Sequence, residues 1–105
     1  MPSIRITGID SSGNLTMDNG GNATVSKSSI VTWVVATNTV ERINITLPSN
    51  PNPNIWSIPP GPVGGGSKNW QGTVGTTTGG EDYTITGNPS DGSDPIVHDP
   101  RIQVN

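Results

Sequence analysis

The sequence contains no cysteine. This absence excludes disulfide bonds, thiolate metal ligands and a cysteine nucleophile, and it leaves the cellular compartment open. Long apolar runs are also missing, so we expect no segment that inserts into a membrane. The first residues lack the apolar stretch of a signal peptide, and we therefore expect a soluble chain. An extracellular or cell-envelope location is expected only if a leader was removed.

Basic residues are scarce, because the chain has five Lys and Arg in total and a formal net charge of -3. The five cations are scattered along the sequence and form no cluster. Proteins that bind nucleic acid or anionic membranes use clustered cations to neutralise phosphates. We therefore expect neither nucleic acid nor a membrane surface as a partner.

Glycine and proline are abundant, with 14 Gly and 10 Pro in 105 residues, whereas only 29% of residues are hydrophobic. Both residues supply backbone angles that turns need and that helices tolerate poorly. Short β-branched runs between turn residues predict about seven or eight strands. A chain of this length suits one domain with one core. We expect residues 1–105 to form a single all-β domain, a two-sheet Greek-key sandwich.

Three segments indicate where the strands and loops lie. The most apolar run, residues 30–36, predicts a central strand, and residues 43–47 alternate apolar and polar side chains as a half-buried strand does. Two proline-rich stretches, residues 48–54 and 59–66, cannot lie inside a sheet because proline has no N–H. We expect these stretches to form a loop that packs on the sandwich.

Four segments follow one another in an order that is typical of one family. Residues 23–33, Ala-Thr-Val-Ser-Lys-Ser-Ser-Ile-Val-Thr-Trp, form a turn that leads into a strand with a Trp. Residues 62–74 combine a Pro-rich turn with Trp-Gln-Gly-Thr-Val, and they are followed by residues 81–85, with a Tyr, and by the closing residues 99–104. This succession resembles the cupredoxins, the plastocyanin- and azurin-like copper proteins. The resemblance implies a cupredoxin-like, immunoglobulin-like sandwich.

The turn before the Trp strand departs from the family pattern. Ser28 and Ser29 stand where Gly-Asp is usual. The resemblance implies that Val31, Trp33 and Val35 face the core. The Asn-Trp-Gln-Gly-Thr-Val stretch and the Asp-Pro-x-Ile-x-Val ending resemble those of copper-free bacterial proteins of unassigned function.

The ligands of a blue-copper site are missing. Such a site needs two imidazoles and a thiolate. Residues 35–43, where the family has its first His, contain none, and residues 86–98 offer one His and no sulfur. We therefore expect no copper and no other cofactor, and the resemblance implies the fold alone.

His98 is the only histidine, and Asp99 follows it. A His-Asp pair can orient a general base, but catalysis needs several converging groups, and nearby Ser90 and Ser93 are ordinary in a Ser-rich loop. A lone loop histidine is more often simply solvated. We expect no enzyme, and a small hydrolase or metal-dependent enzyme around His98 is the lesser alternative.

Asp91, Asp94 and Asp99 place three carboxylates within nine positions. Carboxylate oxygens of this kind bind Ca²⁺, although the spacing differs from that of an EF-hand loop. Asp beside Gly or Pro is also ordinary turn chemistry. We predict no metal site, and these three residues are the candidate ligands if a cation binds.

Three tryptophans are the largest side chains, and the chain has no Phe. Trp33 and Trp70 lie in strand-like runs, which predicts that both belong to the core. Trp56 lies between Pro53 and Pro59, and we expect it to be the exposed one. An exposed Trp gives much contact area at low entropic cost, although a ring that covers one end of the sandwich is the commoner case.

These features lead to two functional hypotheses. The first is a non-enzymatic binding or interaction module whose partner docks near Trp56 and Ile58. The second is a structural subunit that assembles with its own copies through strand edges or termini. Both favour a protein partner or self-association over a small molecule.

Overall fold

Short strands make up most of the chain, as its turn-forming and β-branched residues predict. The computed structural model describes residues 2–49, 54–64 and 68–105. A short 3-10 helix, Asp18–Gly21, lies between the second and third strands, and no helix in these ranges is long and apolar enough to cross a membrane. The described strands are β1 (Ser3–Ile9), β2 (Leu15–Met17), β3 (Ala23–Val25), β4 (Ile30–Val35), β5 (Val40–Thr46), β6 (Trp56–Pro62), β7 (Asn69–Val74), β8 (Gly79–Asp82), β9 (Thr84–Pro89), β10 (Ile96–His98) and β11 (Arg101–Val104).

Five strands form the largest sheet, in the order β2-β1-β4-β7-β6. Strands β1 and β4 run parallel, and the other neighbouring pairs are antiparallel. Side chains alternate along β1, so that Ile4 and Ile6 are buried while Ser3 and Arg5 are exposed. This alternation turns one face of the sheet toward the core.

The other strands form two three-stranded sheets, in the orders β10-β9-β5 and β3-β11-β8. The chain runs from β8 directly into β9 and from β10 directly into β11. Since β9 pairs with β10 and β8 with β11, the four strands form one long hairpin that is interrupted between the two sheets. At the interruption the N–H of Tyr83 donates to the carbonyl of Pro100 across 3.0 Å. The hydroxyl of Thr84 donates to Asp99 Oδ1 across 2.7 Å. These bonds join the two small sheets.

One buried cluster contains residues from all three sheets, and burial of its apolar side chains is the main term that stabilises the fold. Close packing between strands depends on Gly87, since a Cβ there would lie 2.7 Å from Leu15 Cδ2. The most deeply buried side chains are Ile6, Val31, Trp33, Val40, Ile43, Ile55, Val74, Tyr83, Ile85, Ile102 and Val104.

The predicted all-β class is confirmed, but the strands are shorter and more numerous than the pattern predicts. Eleven strands in three sheets are described, against the expected two sheets of about seven or eight strands. Strands β8 and β10 have only four and three residues. An alternating pattern cannot be recognised over so few residues.

The second proline-rich stretch differs from its prediction, because residues 59–62 belong to strand β6 and not to a loop. Strand β6 is the edge of the five-stranded sheet and pairs only with β7, so its prolines stay out of the sheet interior, as expected. The pairing shifts register between Trp56 and Ile58 and again between Ile58 and Gly61. Residues 48, 49, 54, 63 and 64 of the predicted loop lie outside the strands, and its residues 50–53 and 65–66 lie outside the described residues.

Candidate functional site

Trp56 lies at the start of β6 and points into the protein. Its side chain is only 6% exposed, and its indole Nε1 donates to Glu81 Oε2 across 2.8 Å. The ring packs over Gly72, where an added Cβ would lie 2.9 Å from Trp56 Cζ3. The expectation that Trp56 is exposed is therefore wrong, since an internal acceptor and a glycine opposite the ring hold it in the core.

Glu81 is the buried carboxyl that the sequence analysis missed. It is 5% exposed, and its second oxygen accepts a longer bond of 3.4 Å from the N–H of Ile55. Burial raises the pKa of Glu81, and the bonds from Ile55 and Trp56 oppose part of that rise. Neither ion pair in the described ranges includes Glu81. Two features of the sequence could have indicated that Glu81 is buried. A buried indole N–H needs an acceptor. Glu81 also lies two positions from Tyr83, so both side chains lie on the same face of an extended chain.

The other two indoles also donate inside the protein. Trp33 Nε1 donates to the hydroxyl of Tyr83 across 2.9 Å, and that hydroxyl donates to the carbonyl of Gly21. Burial raises the pKa of Tyr83 to about 12. Trp70 Nε1 donates to the carbonyl of Ile43 across 3.0 Å, which links β7 to the edge strand β5. All of these aromatic groups therefore serve the fold.

His98 is bonded to the short 3-10 helix. Its Nε2 lies 2.7 Å from the carbonyl of Gly20 and donates to it. Asp99 accepts from Thr84, and the Ser90 hydroxyl donates to the carbonyl of Asn38. The structure therefore gives the predicted His-Asp pair and its neighbouring serine separate structural partners.

Asp91 and Asp94 line one surface depression, whereas Asp99 lines a different one. Asp91 Oδ1 accepts from the backbone and hydroxyl of Ser93, and these bonds lower the pKa of Asp91. Asp99 is bound to Thr84 in the interrupted hairpin. Within residues 2–49, 54–64 and 68–105, no group of three His, Cys, Asp or Glu side chains is placed to hold a metal ion.

One surface depression is lined mainly by polar residues. It has a volume of about 540 Å³ and lies beside β3 and β11. Its one cationic side chain, Arg101, forms an ion pair with Asp82 across 2.9 Å. No aromatic ring lines this depression, so it lacks the stacking surface of a typical ligand pocket.

Exposed apolar side chains are concentrated near β6. Ile58 is 60% exposed and Val63 is 47% exposed, while Val97 on β10 is 61% exposed. Pro59 and Pro62 are exposed between the first two. We call Ile58, Pro59, Pro62 and Val63 the β6 edge surface, and residues 54–64 around it contain no charged side chain.

The comparisons with known proteins add no relative. The sequence matches no protein-family model, and no curated protein is significantly similar to it. Function is therefore inferred from the chemistry of the chain's own residues.

Proposed function

We propose that this chain is a non-enzymatic domain that binds another protein through the β6 edge surface. The observation that carries this proposal is the 60% exposure of Ile58 on an edge strand whose neighbouring Trp56 is buried. Apolar side chains that are exposed together mark interaction sites more often than isolated ones do. The buried Trp56 supports this surface from beneath, and Ile58 is the contact residue.

The arrangement of polar groups supports a non-enzymatic role. A catalytic site needs a nucleophile, a base and a group that stabilises developing charge, all converging on one point. Here His98, Asp99 and Ser90 each have a separate structural partner. The carboxyl of Glu81 is buried against Trp56 and is not open to a substrate.

Self-assembly through strand edges is the weaker candidate. The two longest edge strands, β5 and β6, have seven residues each. On β5 the carbonyl of Ile43 already accepts from Trp70. On β6 three prolines remove backbone donors. The β6 edge is therefore a poor template for pairing with a second copy, and on β5 one backbone acceptor is already occupied.

The scaffold is proposed to be a copper-free, cupredoxin-like sandwich of bacterial type. Two details support this proposal. Val31 and Trp33 are fully buried in β4 and Val35 is half-buried, as the family pattern implies. The closing segment forms strand β11, with Ile102 and Val104 in the core.

Site-specific photo-crosslinking tests the proposed function. A photoreactive amino acid is placed at Ile58 in one variant and at Val97 in a matched control, and both are irradiated in an extract of the source cells. We expect a distinct protein adduct from position 58 that excess unlabelled wild-type chain suppresses, and none from position 97. Equal labelling from both positions, or an adduct only with a second copy of this chain, would contradict the proposal.

A further inference from the structure

The short 3-10 helix contains the only Asn-Gly pair of the sequence, Asn19 and Gly20. Asparagine is a chemically labile residue. Its side-chain amide is lost when the backbone nitrogen of the next residue attacks Cγ, and glycine favours this attack because it has no Cβ to hinder that nitrogen. Asn19 is therefore the asparagine of this chain whose sequence context most favours deamidation.

The reaction needs water and no other reagent. The backbone nitrogen of Gly20 forms a bond to Cγ of Asn19 and loses its proton, while the bond from Cγ to the side-chain nitrogen breaks and ammonia leaves. Water then opens the resulting succinimide ring at either of its carbonyls. One opening gives aspartate. The other gives isoaspartate, in which the backbone runs through the side chain and is longer by one methylene group.

The backbone conformation of Asn19 keeps the Gly20 nitrogen away from the Asn19 side chain. Ring closure requires this nitrogen and the Asn19 Cβ to be nearly eclipsed about the Cα–C bond. Asn19 has φ of 49° and ψ of 29°, in the left-handed region, and for an L residue this ψ places the nitrogen almost opposite Cβ. Both residues are exposed, so water reaches them. The conformation of the backbone, and not burial, is what blocks the attack.

Hydrogen bonds from outside the Asn-Gly pair hold this conformation. The N–H and the side-chain Nδ2 of Asn22 both donate to the carbonyl of Asn19 across 3.1 Å. His98 Nε2 donates to the carbonyl of Gly20 across 2.7 Å. Rotation of ψ at Asn19 toward the reactive conformation turns the Asn19 carbonyl away from Asn22, so these bonds must open before the ring can close.

We infer that Asn19 is a deamidation site that the folded chain keeps unreactive, and that it is modified in chains in which the short 3-10 helix has opened. Isoaspartate at this position lengthens the backbone directly before the two carbonyls that accept from His98 and Tyr83. The modified chain therefore cannot restore the original bonds. Isoaspartate at position 19 is a permanent mark of chains that have opened here.

Peptide mapping by mass spectrometry tests the inference. The wild-type chain is incubated at mildly alkaline pH, both folded and unfolded in guanidinium chloride, and the aspartate and isoaspartate forms of the peptide around position 19 are separated by chromatography. We expect Asn19 to react at least about ten-fold more slowly in the folded chain, because the reaction is confined to the locally open fraction. Asn19→Gln, whose side chain would have to form a larger ring, should lose the fast reaction in guanidinium chloride.

Two variants test the hydrogen bonds that hold the conformation. Asn22→Ala removes the side-chain bond to Asn19, and His98→Ala removes the bond to Gly20. In the folded state both should deamidate several-fold faster than the wild type, and in guanidinium chloride both should react at the wild-type rate. Val97→Ala, at an exposed side chain next to His98, is the matched control and should react as the wild type does in both conditions.

Equal rates of Asn19 deamidation in the folded and unfolded wild type would overturn the inference. It would also be overturned if neither turn variant reacts faster than Val97→Ala in the folded state. Circular dichroism before incubation confirms that the folded samples are folded, and the wild-type comparison decides the matter whichever variants fold.

Discussion

The indole of Trp56 donates to the buried carboxyl of Glu81 across 2.8 Å and ties the edge strand β6 to β8. The two residues are 25 positions apart in sequence. Trp56 faces inward at this bond, while Ile58 on the same strand is 60% exposed. Strand β6 therefore contributes both the buried bond between Trp56 and Glu81 and the exposed apolar side chain of Ile58.

The ionisation of Glu81 is expected to make stability depend on pH. Burial raises its pKa above the ordinary value of 4.5, so the folded state holds this proton more tightly than the unfolded state. The Glu81 contribution is then most favourable below about pH 4.5 and is lost as pH rises through the raised pKa. Glu81→Gln keeps an acceptor for Trp56 and removes this loss. We predict that the free energy of unfolding of Glu81→Gln, relative to the wild type, increases with pH across that window.

Urea denaturation between about pH 4 and pH 7 measures this difference. Glu41→Gln, at an exposed carboxyl in β5, controls for the loss of one negative charge. A difference between wild type and Glu81→Gln that is the same at every pH would contradict the assignment of Glu81 as a desolvated carboxyl.

The hydroxyl of Tyr83 is expected to carry a measurable share of stability. Tyr83→Phe leaves the N–H of Trp33 and the carbonyl of Gly21 without their buried partner. Each unsatisfied buried group costs about 1–3 kcal/mol, so we predict a loss of about 2 kcal/mol or more in the free energy of unfolding. A double-mutant cycle with Trp33→Phe should be strongly non-additive. Additive losses would show that the two side chains are not coupled.

Ser28 is predicted to be a site where glycine stabilises the protein. Ser28 has φ of 65°, in the left-handed region that favours glycine, and it is the third residue of a turn closed by the Ser29 N–H and the Ser26 carbonyl. A non-glycine residue there costs about 1 kcal/mol, partly offset by the greater freedom of glycine in the unfolded chain. Ser28→Gly should raise the free energy of unfolding by about 0.5 kcal/mol in urea denaturation. Ser29→Gly, where φ is not positive, should lower it, and a gain at both positions would contradict this account.

A side chain at position 87 is expected to destabilise the protein. A Cβ at this position would lie 2.7 Å and 2.9 Å from the two methyl carbons of Leu15, so Gly87→Ala must shift the Leu15 side chain. We predict a loss of about 1–3 kcal/mol in thermal or urea denaturation. Gly75→Ala is the matched control, because its nearest neighbour would be 3.7 Å away. Equal stability of the two variants would contradict the packing between β2 and β9.

Local pattern was sufficient to predict much of the core. The β-branched run around Trp33 and the alternation from residue 43 to 47 correspond to β4 and β5, with Trp33 and Ile43 fully buried. The positive φ of Ser28 marks this turn as a place that suits glycine. These features are set by residues that are close in sequence, so the sequence pattern alone is enough to predict them.

The orientation of Trp56 could not be predicted, because it depends on residues far along the chain. Its acceptor Glu81 and the bare backbone of Gly72 are supplied by β8 and β7. Flanking prolines suggested an exposed loop, but the register shifts in β6 let one side chain turn inward and the next turn outward. Of the two residues predicted to contact a partner, Trp56 is therefore buried and Ile58 is exposed.

Equilibrium binding of the crosslinked partner tests the central claim most directly. The affinity of that partner is measured by calorimetry for wild type, Ile58→Ser and Val97→Ser, two variants that each remove one exposed apolar side chain. We predict that Ile58→Ser binds about ten-fold more weakly while Val97→Ser matches the wild type, with both variants as stable as the wild type within about 0.5 kcal/mol. Equal affinity of all three proteins would contradict a binding role for the β6 edge surface.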